Sequence, residues 1–496
     1  MNTKKAILLS LASWVLLAFC FPPFPLGPVA LVSLAPWFYV LKTASKKTAL
    51  TSSYLGAFFF NAISIYWLYH VGDVAPPALI FSGLFLSIAF LSLFVLLCAY
   101  VFIKLPSPFL FPFFWAGIEV LRAKGDMSFP WLSLGLVFGN NLELMQSYAF
   151  LGVFGCSAII IASNICLATA VLKKKKKLGF APLALAIIFY VGGYGILANE
   201  KAIDSSTLKV AVVQPSIHQT KKWSREYFDS VMTQTWDLFE TLEPDSVGLI
   251  LFPETAIPDY MNSRFTEAEF LEDYAQKNNS AIVIGALNRI WNKEAQGEKR
   301  KLVYNSAFLF GFGKPPLEYR KVHLVPFSEK MPFDNIFPVV NYVDLGGGEF
   351  SPGDSLSIWQ PGGFSPLICY EVIYGNILRD AKRKGAKFIA NITNDGWFYK
   401  SIAPYQHFNL VRSHVVENGI GVVRAANTGI SAFILPNGKI LEKTELFEQR
   451  IIVQNIPLET RFTLYSVIGD YIELVLFVFS LAMVLVAIIK KSPLLK

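Results

Sequence analysis

The sequence predicts two unlike parts in one chain: a helical bundle that spans a membrane, and an α/β domain of sheet layers with helices outside, followed by one returning apolar helix. Three observations carry that prediction. Only 16% of the 496 residues are charged and 53% are hydrophobic, against about 25% charged in an average soluble protein. The apolar residues are also concentrated. Residues 1–200 are nearly continuous Leu, Phe, Ala, Ile and Val, residues 205–465 carry mixed charge and turn signals such as PNG at 436–438, and 470–489 are apolar again. Within the middle part, short β-branched runs alternate with helical periodicity, the pattern of an α/β domain.

A bilayer-spanning helix needs about 20 mostly apolar residues. That length is met or approached at 5–21, 26–41, 49–71, 78–103, 108–121, 144–172, 179–198 and 470–489. The expectation is therefore about seven helices before the polar domain and one after it. The stretch LLAFC at 16–20 is not read as a lipoprotein cleavage box, because bulky Phe19 stands before Cys20 where small residues are required.

Lysines set the orientation. Lys4 and Lys5, the loop with Lys42, Lys46 and Lys47, Lys104, the run Lys173–Lys177, and Lys490 with Lys491 all fall on one face if the spans are right. The positive-inside rule makes that face cytoplasmic, which puts the domain at 205–465 on the outer side. The net charge of +8 is accordingly read as topology and not as nucleic-acid binding, since the lysines border helix ends and lack aromatic stacking partners. Cys20, Cys98, Cys156 and Cys166 lie in predicted spans, where a thiol behaves as a small apolar group. Cys369 is the one cysteine of the polar domain. In an oxidising compartment it has no bridging partner, so it is either inert or there for its reactivity.

The elements of the polar domain follow in order. LKVAVVQPSI from 208 is a strand, 224–242 has helical periodicity, and VGLILFPE at 247–254 is a short buried strand. A helix near 266–277 leads to strands at 280–287 and 304–311. FSPLICYE at 364–371 reads as a strand running into a helix, 387–395 and 419–427 continue the series, and ISAFILPNGKILEK from 430 reads as a hairpin. Continuous apolar strands are buried on both faces.

Three reactive residues sit where such strands stop: Glu254 after LILFP, Lys321 in the loop YRKVHLVPFSE, and Cys369 after PLI. Strand ends are where functional groups collect in α/β folds. If the three meet, Glu254 can take the thiol proton and Lys321 can donate to the oxyanion of a tetrahedral intermediate, an interaction worth roughly 3 kcal/mol. Cys369 can then form a thioester. Each also has an ordinary alternative: a capped turn, a solvated charge and a core thiol. The five histidines show no HExxH and the cysteines no CxxC, so no metal or other cofactor is expected. FGFGK at 310–314 lacks the spacing and terminal hydroxyl of a phosphate loop.

FPETAIP, YRKVHLVPFSE and ICYEVIYG, in this order, resemble the three catalytic segments of the nitrilase superfamily, whose members are αββα sandwiches with a Glu-Lys-Cys triad. The bundle before the domain and the helix after it narrow the resemblance to the apolipoprotein N-acyltransferase family. The resemblance implies a nitrilase-like αββα sandwich inserted between a seven-helix transmembrane bundle and a C-terminal transmembrane helix. It implies Glu254 as base, Lys321 as oxyanion-stabilising cation and Cys369 as nucleophile. Glu329, Tyr370, Glu371 and Asn305 fall on supporting positions, Trp397 and Trp223 on substrate-binding or lid positions, and Pro332 on a structural loop position. Glu371 is placed either to orient Lys321 or a loop backbone, or to react, and Tyr370 either supports the site or packs.

The resemblance also implies an acyl donor, phosphatidylethanolamine, and an acceptor, the diacylglyceryl-cysteine of bacterial apolipoproteins. It implies a monomeric, multi-pass protein of the inner membrane whose catalytic domain faces the periplasm. Two other readings remain: a membrane-anchored amidase acting on a small amide, and a transporter or scaffold, for which Glu119, near the end of a short span, would be the candidate residue.

Overall fold

The computed structural model describes residues 1–72, 76–200, 206–243, 247–291, 301–313, 315–334, 336 and 349–489. Lys314, Lys490 and Lys491, which entered the sequence reading, lie outside the described residues. The chain forms two units: Met1–Glu200 with Tyr405–Glu417 and Thr463–Lys496, and Lys201–Pro404 with Asn418–Phe462.

The first unit is helical. Pro77–Lys104, Tyr148–Lys173, Ala181–Ala198 and Leu464–Ile489 are each long and apolar enough to cross a membrane. Other helices lie in the remaining predicted spans, among them Thr3–Ala18, Lys46–Ile65 and Phe111–Arg122. The predicted span at 26–41 is a broken element, with helical pieces at Ala30–Ser33 and Ala35–Thr43. Asn164 holds the break: its Nδ2 donates to the Ala30 carbonyl at 2.8 Å and its Oδ1 accepts from Leu34 N–H at 2.8 Å. Irregular backbone is tolerated at membrane depth only when its polar groups are satisfied inside the protein, which is what Asn164 does.

Among the described residues the second unit carries twelve strands: β1 (Thr207–Gln214), β2 (Leu249–Leu251), β3 (Ile257–Tyr260), β4 (Ala281–Trp291), β5 (Lys301–Phe310), β6 (Leu317–Arg320), β7 (Phe364–Ile368), β8 (Phe388–Thr393), β9 (Gly421–Ala426), β10 (Ala432–Ile434), β11 (Ile440–Lys443) and β12 (Arg450–Pro457). They make two sheets. One has the order β12-β1-β2-β4-β5-β6 with β3 also on β4, and the other the order β11-β10-β9-β8-β7. β1, β2 and β4 are mutually parallel, as are β7, β8 and β9. β1 lies against β9 and β5 against β7, so the sheets face each other.

On its outer face the larger sheet presents Ala211, Val213, Ile250, Ile282, Ile284 and Phe308 to helices Phe228–Glu240 and Leu271-bearing Phe265–Lys277. Val210, Val212, Leu249 and Val283 on the alternate positions are equally buried, as period-two strands covered on both faces require. Most predicted elements are present. The strand read at 364–371 ends at Ile368, because Cys369 turns into a left-handed conformation with φ of 49° and opens a 3₁₀ turn to Ile373. β6, β12 and the helix Ala403–Asn418 have no counterpart in the sequence reading.

Candidate active site

The site is assembled from loops that leave the C-terminal ends of strands. Glu254 follows β2, Asn305 lies in β5, Lys321 directly follows β6, and Cys369 directly follows β7. Glu254, Asn305, Lys321 and Glu329 form one buried, bonded cluster. Asn305 Nδ2 donates to Glu254 Oε1 at 2.7 Å and to Glu329 Oε1 at 3.0 Å. Lys321 Nζ donates to Glu329 Oε1 at 2.8 Å and stands 3.7 Å from Glu254 Oε1. Its backbone is pinned as well, since Lys321 N–H donates to the Asn305 carbonyl at 2.9 Å.

A lysine only 1% exposed would ordinarily lose its proton. Burial does work against the charge here, but Glu329, Glu254 and Cys369 outweigh it and hold the Lys321 pKa above its usual value. Such a lysine is a permanent cation.

Cys369 is pushed up to about 12, first by burial, then by the charges of Glu254 and Asp395, against which Lys321 and a hydrogen bond with Thr393 act. The charges of Glu254 and Lys321 thus both influence the sulfur. At rest the group is a thiol, and its proton leaves only when an acceptor takes it. Its left-handed backbone, sparsely populated by residues other than glycine, lifts the side chain out of the strand line at a sharp strand-to-turn corner.

Glu371 serves the backbone. It accepts from Val322 N–H at 2.7 Å, His323 N–H at 3.2 Å, Ile368 N–H at 2.7 Å and Tyr319 O–H at 2.8 Å. Of the alternatives open in the sequence, this geometry favours orientation of the loops beside Lys321 and Cys369. Burial pushes its pKa up, yet four donors and no acceptor leave the ionised form as the one that satisfies them all. Tyr370 is buried edge-on against Tyr374 with ring centroids 5.4 Å apart, and Pro332 is buried in a turn. Trp223 is exposed at the end of the helical turn Gln219–Lys222, and Trp397 is half-buried in the turn Asp395–Phe398. Neither belongs to the bonded cluster; each sits on a loop that borders it.

One residue the sequence reading passed over also points into this cluster. Lys222 is buried, and its Nζ donates to the Glu254 carbonyl at 2.9 Å. The visible signal was a lysine directly before Trp223, but a pair of adjacent lysines reads as solvated.

Gly285 shapes the Glu254 loop. A Cβ there would stand 2.5 Å from Thr255 N and 2.7 Å from Glu254 Cα, both backbone atoms that cannot swing aside. Gly285→Ala is expected to shift Glu254 and lower the single-turnover rate on the order of 10²-fold, the typical result of a 1 Å misplacement. The measurement is single-turnover acylation beside a thermal melt that shows the domain still folded.

The two-sheet fold, with a carboxylate–lysine cluster beside a thiol, defines a carbon–nitrogen hydrolase domain, and residues 209–462 match the sequence profile of that family, described as "Carbon-nitrogen hydrolase". Residues 13–166 match a second profile, "Apolipoprotein N-acyltransferase N-terminal domain", and the chain belongs to the apolipoprotein N-acyltransferase family. It is 30% identical over 499 residues to the apolipoprotein N-acyltransferase of Haemophilus influenzae, covering 95% of this chain and 92% of the relative. It is 29% identical to that of Geobacter metallireducens, covering 94% and 92%. Among solved structures, the nitrilase-superfamily protein Nit3 of Saccharomyces cerevisiae is similar at 22% identity with a TM-score of 0.37, covering 52% of this chain and 93% of that one. The domain is a nitrilase-like αββα sandwich, and the chain is a multi-pass bacterial membrane protein and an acyltransferase of the lipoprotein-modifying class.

Proposed function

We propose that Cys369 takes a fatty acyl group from a membrane phospholipid, phosphatidylethanolamine being the expected donor, and passes it to the α-amino group of the diacylglyceryl-cysteine of an apolipoprotein. The observation that carries this reading is the bonded cluster Glu254–Asn305–Lys321–Glu329, in which the charges of Glu254 and Lys321 act on the Cys369 thiol. In the first half-reaction the sulfur attacks the ester carbonyl while Glu254 takes the thiol proton. Lys321 faces the oxyanion, the C–O bond breaks, and the lysophospholipid leaves with the proton from Glu254. In the second half the acceptor amine attacks the thioester, the C–S bond breaks, and one amine proton returns through Glu254 to sulfur.

Both substrates are held in the bilayer by chains that lose about 0.8 kcal/mol of favourable burial per CH₂ drawn into water, which accounts for a catalytic domain carried by spanning helices. The lysine clusters at the helix ends favour an inner-membrane protein with the domain on the periplasmic side. We take the acting species to be a monomer.

Intact-mass measurement after mixing the purified protein with phosphatidylethanolamine tests this directly. A hydroxylamine-sensitive acyl adduct, absent in Cys369→Ala, is the expected result. A folded protein that gains no adduct, and makes no product with an apolipoprotein acceptor present, overturns the reading in favour of small-amide hydrolysis.

Trp223, on its exposed turn, is suited to receive an acyl chain. Trp223→Ala is expected to raise the KM for phospholipid by roughly tenfold, the loss of about 1.4 kcal/mol of apolar contact, while the rate with a short water-soluble ester is unchanged. An equal loss with both substrates would assign Trp223 to loop structure.

A further inference from the structure

Lys222 lies outside every motif that the sequence analysis used. We propose that Lys222 is a positioning residue for Glu254 and the second cation of the site, its ammonium group holding the Glu254 carbonyl in place and its charge favouring the Cys369 thiolate. Three observations support this. The side chain is only 3% exposed and its Nζ donates to the Glu254 carbonyl at 2.9 Å. Its charge is coupled to that of Glu254, and to that of Cys369 when the thiol ionises. The helical turn that carries it is anchored at its other end, where Gln219 Oε1 accepts from Asn394 Nδ2 at 2.9 Å. The turn thus ties the Glu254 loop to the segment bearing Asp395, whose charge also acts on Cys369.

Charge balance gives the bond a purpose. Glu254 and Glu329 share one lysine, Lys321, and Asp395 is neutralised separately by Arg424 at 2.9 Å. With Lys222 neutral the cluster carries an excess negative charge, which opposes a thiolate. With Lys222 protonated that excess falls by one charge. Because Lys222 binds the backbone carbonyl, it adds this charge without occupying the carboxylate oxygens that must receive the thiol proton. Burial brings its pKa down to about 7, against the opposing pull of Glu254 and Cys369, so the second cation is present below neutral pH and lost above it.

The meaning of the thiolate rests on the acyl-transfer reading, but its test does not. The rate of Cys369 alkylation by iodoacetamide, followed by peptide mass spectrometry on the full-length detergent-solubilised protein, reports thiolate directly. For the wild type, the logarithm of the rate should climb with pH, flatten for about one unit above pH ~7 as Lys222 loses its charge, and then climb again. Lys222→Arg, always charged, should follow the upper line with no step. Lys222→Met should follow the lower one, about tenfold slower at slightly acid pH, the equivalent of one pKa unit at the sulfur.

A straight wild-type profile, or a Met variant that coincides with the wild type, overturns the proposal. Should the Met variant fail to fold, the wild type against the Arg variant still decides it, because a purely structural lysine gives both the same shape. No lipid is used, so the step can be present in a protein that forms no acyl adduct, and absent in one that does.

Discussion

Glu254→Gln is expected to slow acyl-enzyme formation at neutral pH by on the order of 10³–10⁴-fold, the upper range for loss of a general base. The resting Cys369 thiol, held at about 12, supplies only about one thiolate in 10⁵ at pH 7. Nearly all of the wild-type rate must therefore pass through a base that takes the proton as the sulfur attacks. The amide cannot take it. It also removes a negative charge that raises the Cys369 pKa, so part of the loss is recovered as a larger standing thiolate fraction. Two signs follow. The variant's rate should rise about tenfold per pH unit above neutrality, following hydroxide, while the wild type stays nearly flat over the same interval. Stopped-flow or quenched acylation across that range measures both. A variant that keeps wild-type activity with a flat profile removes Glu254 from the role of base.

The second large effect is expected at Glu371, through structure first and rate second. Its Oε1 accepts from Tyr319, Val322 and His323, while Oε2 accepts from Ile368 N–H. Glu371→Gln can keep the three bonds at Oε1, but its NH₂ group must then face the Ile368 N–H, donor against donor. One buried unsatisfied N–H costs about 1–3 kcal/mol, and more where a charged acceptor is lost. At about 2–4 °C per kcal/mol for a domain of this size, the melting temperature should fall by roughly 2–12 °C. Because Ile368 precedes Cys369 and Val322 follows Lys321, kcat should fall with it, on the order of 10²-fold. Glu371→Ala leaves all four donors without their acceptor and should not yield a folded domain. Differential scanning fluorimetry beside a single-turnover assay separates these outcomes, and an unaltered melt for the Gln variant would contradict the assignment.

Much of the domain could be read from the sequence because its signals are local. A β-branched run is a strand wherever it falls, and FPETAIP, YRKVHLVPFSE and ICYEVIYG each carry their reactive residue inside one short segment. The features that escaped are set by distant partners. β6 is four residues long, and only its pairing with β5 makes it a strand. β12 alternates too weakly to announce itself, and it is fixed by eight paired positions on β1. The function of Glu371 was undecidable until its four donors, drawn from two separate segments, were in view. Lys222 was hidden by its neighbour Lys221. A lysine's meaning depends on whether its ammonium group meets water or a carbonyl, and one-dimensional spacing does not encode that. In the bundle, apolar composition marked helices but not their breaks, because the break at Leu34 depends on an asparagine 130 residues away.

The placement of the reactive groups on separate sheets has a consequence for the assembly of the site. Glu254, Asn305 and Lys321 are carried by the larger sheet and Cys369 by the edge strand of the smaller one. In the proposed mechanism, then, the nucleophile and its base belong to different sheets. Under the proposed roles, thiol and base meet only where the two sheets dock, so whatever separates the sheets disarms the site.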